Sequence, residues 1–481
     1  MTVPASERFV LAIDNGSQST KVMIVDEWGN VHASAQQRLR PYDTHVRGQV
    51  VHPDDDLWES IAATCRAALA AFEGDASKIA GVGLCTIRFC RALLDTDGRL
   101  VEPVMSWMDA RVSSAHVPGN ERVARITTSS GYITGRLTGA FRDTVANYQG
   151  VWPIDVVRRA WSLDDADYTS TGIRKDQLAE LVEPGELLGA VTEEAATATG
   201  LPAGLPVYAT ANDKAVEALG SGLVSEHEAL LSLGTYIAAM TPSRAPVSTS
   251  SSYWVNFDSI AGGYLNESGG IRRGMWTISW YRDLLNSEGA PSVDEGSLES
   301  GACGVPIGSG GLFAILDWLA PGDHPERRGA FLGFDGSQGR FHLYRSILEA
   351  IAYTMRVHLE AMETALGRRF TEVIVSGGGS RSTLMLHILA NVLDRPVRRT
   401  AVTDAAGLGA AICALIGAGI YADWDTAVSA TVRLADRVEP DPESVAAYAP
   451  FARKHAGLAD FTDPLFAWLE GGPQQATGPL Q

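Results

Sequence analysis

Apolar and polar positions fall in blocks along this chain. Phe9 to Ile13 is an unbroken apolar run, Asn15-Gly16-Ser17 supplies turn chemistry, and Lys21 to Asp26 is apolar again, which predicts an opening hairpin with a polar tip. The same grammar returns near the middle, where Ala229 to Leu233 leads into Gly234-Thr235 and Tyr236 to Met240 resumes the apolar pattern. An echo at that distance predicts two similar domains that each offer a hairpin tip to one cleft, rather than a short-period array. The boundary is expected at Gly220 to Val224. That gives an N-terminal domain over 1–221, a C-terminal domain over 222–470, and a tail over 471–481 rich in Gly, Pro and Gln with little to bury.

Between and after the hairpins, a helical pattern covers Asp54 to Phe72 and buried strands cover Ile79 to Leu84, Ala92 to Asp95, Pro206 to Ala209 and Val373 to Val375. Apolar helices are expected over Leu343 to Arg356 and Leu384 to Leu393. Strands alternating with helices indicate an α/β fold. Pro242 to Ser252 and Ser287 to Gly301 are polar and poor in large apolar residues, so both are expected to be surface loops. Ala405 to Ala422 carries no charge and is long enough to consider as a membrane span. Its Gly and Ala content, and flanks of Asp404 and Asp423 without Lys or Arg, predict a buried, tightly packed helix instead.

Composition narrows the class. A chain of 481 residues with 45% hydrophobic content can bury a large core and exceeds the usual single domain. A net charge of −18 disfavours nucleic acid and anionic membranes as partners. Five scattered cysteines without a CxxC pair, and an N-terminus without a secretion signal, point to a reduced, cytoplasmic protein lacking structural zinc.

Chemistry gathers at the glycine turns. In Asp14-Asn15-Gly16-Ser17-Gln18-Ser19-Thr20-Lys21, Gly16 allows backbone amides to approach an anion and Ser17, Ser19 and Thr20 add donors. Lys21 adds positive charge, and Asp14 suits a magnesium ion. Alone, the octapeptide reads equally well as an ordinary polar hairpin. Gly377-Gly378-Gly379 follows an apolar strand and runs through Ser380-Arg381 into a helix, a placement that suits nucleotide contact better than a flexible linker. With Gly234 and Thr235, three glycine turns follow three apolar strands.

These motifs, in this order from Val10 to Tyr421, resemble the FGGY carbohydrate kinase family of the actin/Hsp70/sugar-kinase fold. Trp107-Met108-Asp109-Ala110-Arg111 is similar to the family's Trp-x-Asp-x-Arg. Arg328-Gly329-Ala330-Phe331-Leu332-Gly333, ahead of the helix at Leu343, is similar to its C-terminal signature. The resemblance implies two actin-like domains around a catalytic cleft, ATP and Mg2+ as cofactors, and a small ketose (a pentulose such as xylulose or ribulose) or a sugar alcohol as acceptor. It implies Asp213 as catalytic base, in contact with acceptor and metal, and Asp14 as a second metal residue. It also implies Gly16, Ser17, Ser19, Thr20, Lys21, Gly234, Thr235, Gly377, Gly378, Gly379 and Arg381 around the nucleotide, and Arg88, Trp107, Asp109 and Arg111 at the acceptor.

Other readings stand beside these. A lone Asp after a strand is usually a cap or turn residue, ion-pair residues are the lesser reading of Arg88 and Arg111, and Trp107 reads equally as core. Phe89 stands where glycerol kinases carry an acid, and Ile87-Arg88-Phe89 stands where xylulokinases carry Gln-Met-His. Val112 to Ile126 is shorter than in relatives, so the pocket is expected to be more open or completed by another subunit, as in a homodimer. An actin- or Hsp70-like ATPase, or an inactive sugar-binding relative, is the alternative.

Overall fold

The computed structural model describes residues 8–286, 292–402 and 404–471, so the expected tail beyond Gly471 lies outside the described residues. Two mixed sheets organise the chain. The first has six strands in the order 187–190, 206–209, 79–86, 9–15, 19–26 and 31–38. Every residue of Phe9–Asn15 is buried, as an apolar run in the middle of a covered sheet must be. This strand pairs antiparallel with Ser19–Asp26, setting Asp14 opposite Lys21, and parallel with Ile79–Thr86, setting Asp14 beside Cys85.

The second sheet has seven strands in the order 254–257, 264–267, 237–243, 228–233, 372–376, 397–400 and 434–438. Its core repeats the plan of the first. Glu228–Leu233 pairs antiparallel with Ile237–Ser243 and parallel with Glu372–Ser376, which aligns Ser232 with Ser376. The repeated hydrophobic grammar therefore corresponds to a repeated strand plan, and both hairpin tips lie at strand ends where ligands gather in open α/β sheets.

The uncharged glycine-alanine segment forms the buried helix Ala405–Gly417. Although it follows six of the second sheet's seven strands in sequence, it packs on Phe9–Asn15 and Ile79–Thr86 of the first sheet and across the helix Asp213–Gly220. Small residues are required at that crossing. A Cβ on Gly409 would sit 1.9 Å from the Val216 carbonyl oxygen, and one on Gly220 would sit 1.9 Å from that of Ala405. Gly409→Ala should therefore lower the urea midpoint, by about 1–3 kcal/mol of overpacking. Gly119→Ala, whose Cβ meets nothing within 4 Å, should leave it unchanged. No helix among the described residues is long and apolar enough to cross a membrane.

Two expected loops are partly ordered elements. Pro242 and Ser243 end the buried strand Ile237–Ser243, paired with Leu265 and Tyr264, and the exposed loop begins only at Arg244. Within Ser287 to Gly301, residues 287–291 lie outside the described residues, whereas Glu295–Cys303 is a helix capped by Asp294. Leu298 and Ala302, four apart and so on one face, are buried, which supplies the packing that the polar composition concealed. The Arg328 to Gly333 block contributes the strand Ala330–Leu332, paired with Phe313–Ile315, ahead of the long helix Arg340–Leu366.

Candidate active site

The site is assembled where both hairpin tips, the start of the helix Asp213–Gly220 and the Gly377 turn converge. Asn212 fixes the helix start: its Oδ1 accepts from the amides of Lys214 and Ala215, and its Nδ2 donates to the Ala146 carbonyl. Asp213 is thereby held in the first turn, with its Oδ1 left without a hydrogen-bond partner. Arg88, arriving just after the strand Ile79–Thr86, places its Nε 3.9 Å from that same Oδ1. Burial raises the pKa of Asp213 above the usual carboxylate value, while Arg88 and Lys214 pull it back down.

One helical turn on, Glu217 ties three elements together. It accepts from Lys214 Nζ at 2.8 Å, from the Ser232 hydroxyl of the second hairpin at 2.8 Å and from the Ser376 hydroxyl ahead of the glycine turn. Burial alone would push Glu217 up, but Lys214 and these hydroxyls outweigh it and hold it below its ordinary value. At the first hairpin, burial and Asp404 push Asp14 up to about 7 against the opposing pull of Lys21, with Asp213 and Glu217 adding to the rise. Lys21 lies 3.4 Å from Asp404, which caps the helix Ala405–Gly417, and 4.0 Å from Asp14. Carboxylates from three segments thus share one field.

A cleft of about 680 Å³ opens beside this cluster, lined by Lys21, Gln36, Gly377, Gly378, Arg381 and Asp404. A recess of about 360 Å³ continues past Gly377 and Arg381 to Arg399. Gly377 adopts φ +78°, and a Cβ there would lie 2.8 Å from the Leu233 carbonyl oxygen, so only glycine serves at this junction of the two turns. Gly379 is a packing residue, since its Cβ would meet Met275 Sδ at 2.8 Å. Gly234 and Thr235 stand at the second tip, with Thr235 exposed.

The hydroxyls of the first hairpin divide by role. Thr20 is buried, accepts from Asn15 Nδ2 at 2.6 Å and shares a hydrogen bond with Ser60, so its side chain braces the strand rather than facing the cleft. Ser19 accepts from Gln36, while the Ser17 carbonyl accepts from Tyr42. Gly16 closes the turn by donating its amide to the Ser19 carbonyl.

On the acceptor side the structure separates the sequence candidates. Arg88 makes a bidentate pair with Glu267 at 2.7 and 2.9 Å and packs its guanidinium over Phe89 and Trp254. Burial disfavours its charge, but Glu267 outweighs that and raises its pKa. Because Glu267 ends a strand of the second sheet, this pair joins the two halves beside Asp213. Asp109 is saturated internally: it accepts from the Arg111 amide, from Arg111 Nε and Nη2, and from the Val50 amide. Asp109 and Arg111 therefore hold one another and the 48–50 loop. Trp107 is 48% exposed, so it is not a core residue.

Glu217 was legible in principle, because a residue four after Asp213 shares its helix face. Asp404 had the signature of a cap before a glycine-rich helix. Glu267 had none beyond being an acid at the end of an apolar strand. Among the described residues no three His, Cys, Asp or Glu side chains form a ready metal cage.

The hairpin tips, the Gly377 turn and the start of the Asp213 helix thus meet between two sheets of like topology. The chain belongs to the FGGY family of carbohydrate kinases: residues 9–118 and 114–220 match the family's N-terminal domain and 229–418 its C-terminal domain. It is 43% identical over 437 residues to an uncharacterized sugar kinase, YgcE, of Escherichia coli (strain K12), covering 90% of this chain and 89% of that one. A glycerol kinase of Dechloromonas aromatica is 27% identical, with 94% and 97% covered. The crystal structure of xylulose kinase from Rhodospirillum rubrum superposes with a TM-score of 0.83 at 26% identity, over 96% of this chain and all of that one. The fold is thus the two-domain actin-like fold, and the protein is a phosphotransferase with an alcohol group as acceptor, for which the family implies ATP.

Proposed function

We propose that this protein transfers the γ-phosphoryl group of ATP, with magnesium, to a hydroxyl of a small ketose or sugar alcohol, and that Asp213 is the base. The observation that carries this reading is the buried Asp213 Oδ1, which has no hydrogen-bond partner and is held at a helix start 3.9 Å from Arg88 Nε. A carboxylate made less acidic by burial is a better proton acceptor while the acceptor oxygen attacks phosphorus. Lys21 and the Gly377-Gly378 backbone would neutralise and hold the phosphates, and the walls of the cleft would exclude water. Asp14 and Asp213, with Asp404 nearby, would hold magnesium directly or through water; when bound, it screens the negative charge between phosphates and carboxylates.

The halves 1–221 and 222–470 are read as the two bodies of the cleft, and the protein as acting in the cytoplasm. Arg88 and Trp107 are read as pocket-shaping residues, with Asp109 and Arg111 bracing the rim. Purified protein given ATP, magnesium and a panel of pentuloses, tetritols and glycerol should release ADP only when one of the acceptors is present. ADP release indifferent to every acceptor would favour an ATPase and contradict this reading.

A further inference from the structure

A further cavity, of about 520 Å³, has Tyr236 and Arg272 in its wall, together with Gly270, Asp317, Arg327 and His358. Backbone pairing places the first two. Ile237 exchanges hydrogen bonds with Ile271, which sets Tyr236, just past the second hairpin tip, opposite Arg272. The phenol end of Tyr236 occupies space that only a glycine leaves, since a Cβ on Gly270 would sit 2.4 Å from its Cζ and 2.6 Å from its hydroxyl oxygen. That hydroxyl has no hydrogen-bond partner among the described residues.

Tyr236 feels the charges of Glu267, Arg88, Lys214 and Arg272, and the first three of these also act on Asp213. The Tyr236 end of the cavity therefore neighbours the proposed base. Burial, ahead of Glu267, raises the Tyr236 pKa above its ordinary value, so the phenol stays protonated and can donate. The cations of the walls are unevenly matched. Asp463 grips Arg327 at 2.7 and 2.6 Å, with Asp317 and Asp323 adding to its field, and His324 lies 3.1 Å from Glu326. Burial lowers the pKa of His358, and that of His455 to about 4, so both are neutral at pH 7. Arg88 and Lys214 are held by Glu267 and Glu217. The exposed Arg272 differs from all of these: among the described residues it has no ion pair, and its Nη1 donates to the Ala320 carbonyl at 2.6 Å, which orients the guanidinium and leaves its other N–H groups free.

We propose that Tyr236 and Arg272 form the far end of the acceptor site and receive the carboxylate of a sugar acid whose reacting hydroxyl meets Asp213. This rests on the kinase reading above and adds a carboxylate to the acceptor given there. An ionised carboxylate only accepts hydrogen bonds, and the two groups that face each other here are a guanidinium fork and a phenol, both donors. The cavity volume lies in the range of small-molecule sites. Neutral chains reach Asp213 but leave Arg272 without its anion, so they are the weaker acceptors.

The test uses the full-length protein with ATP, magnesium and two matched pairs of acceptors, D-gluconate with D-glucitol and D-arabinonate with D-arabinitol, which differ only in the terminal carboxylate. D-xylulose and D-ribulose serve as further neutral probes. In at least one pair kcat/KM for the acid should exceed that for its neutral partner by about tenfold or more. Arg272→Ala should collapse that ratio towards one through the KM of the acid, Arg272→Lys should restore part of it, and Tyr236→Phe should lower it severalfold. A merely structural role for Arg272 would depress both members of a pair alike and leave the ratio where it was, and that result would overturn the proposal. Neutral acceptors that outrun both acids, or turnover of neutral probes with none of either acid, would overturn it too and leave the kinase reading standing. If no acceptor of either kind supports ADP release, the kinase reading fails and this proposal with it.

Discussion

Asp213→Asn should lower kcat for phosphoryl transfer by about 10²–10⁴-fold, the usual worth of a positioned general base, while the KM for ATP stays within about threefold. The two quantities separate because Asp213 stands at the helix start beside Arg88, whereas the glycine turns and Lys21 line the neighbouring cleft. Asparagine keeps the shape of the first helical turn but cannot take a proton. Steady-state kinetics with ATP and acceptor varied in turn checks this. A variant that keeps its kcat would assign the base elsewhere, and one that loses ATP affinity in proportion would make Asp213 a nucleotide ligand.

Glu267→Ala is the substitution expected to cost most in stability. The Glu267 side chain is fully buried and that of Arg88 only 14% exposed, so removing the acid strands a guanidinium between two sheets. Breaking a buried pair in this way typically costs about 3–5 kcal/mol. The paired replacement Arg88→Met with Glu267→Leu should recover much of that loss, because neither charge is then left alone. Urea unfolding of the single and double variants reads this directly. Equal destabilisation in both would mean that packing, not charge, dominates at this junction. The double variant should still lose activity, since Asp213 would lack the neighbour that moderates its raised pKa.

The sequence carried the fold further than the acceptor side, for a physical reason. Hydrophobic period and turn glycines are local signals. Phe9–Asn15, Glu228–Leu233 and Glu372–Ser376 were therefore readable as strands, and their repeat as two like sheets. The helix Ala405–Gly417 was readable as buried, but not its crossing onto Phe9–Asn15 and Ile79–Thr86 or against Val216 and Gly220, because all of these lie far earlier in the sequence. Side-chain roles were the least local. Thr20 has the hydroxyl of a phosphate ligand, and only the position of Ser60 on a distant helix turns it inward. Arg88 admitted two readings, acceptor ligand or interdomain ion pair, and the partner in its bidentate contact, Glu267, lies 179 residues away in sequence. Asp109 and Arg111 proved to be each other's partners, two residues apart, an arrangement the motif itself permits.

Family membership carries the claim of phosphoryl transfer, and the geometry around Asp213 supplies its proposed route. Phosphorus-31 NMR of the full-length protein with ATP, magnesium and a neutral pentulose follows the phosphoryl group itself. A phosphomonoester signal that grows in step with β-phosphate of ADP, and only when acceptor is present, is the result this account predicts. Growth of inorganic phosphate at a rate indifferent to every acceptor offered would contradict it.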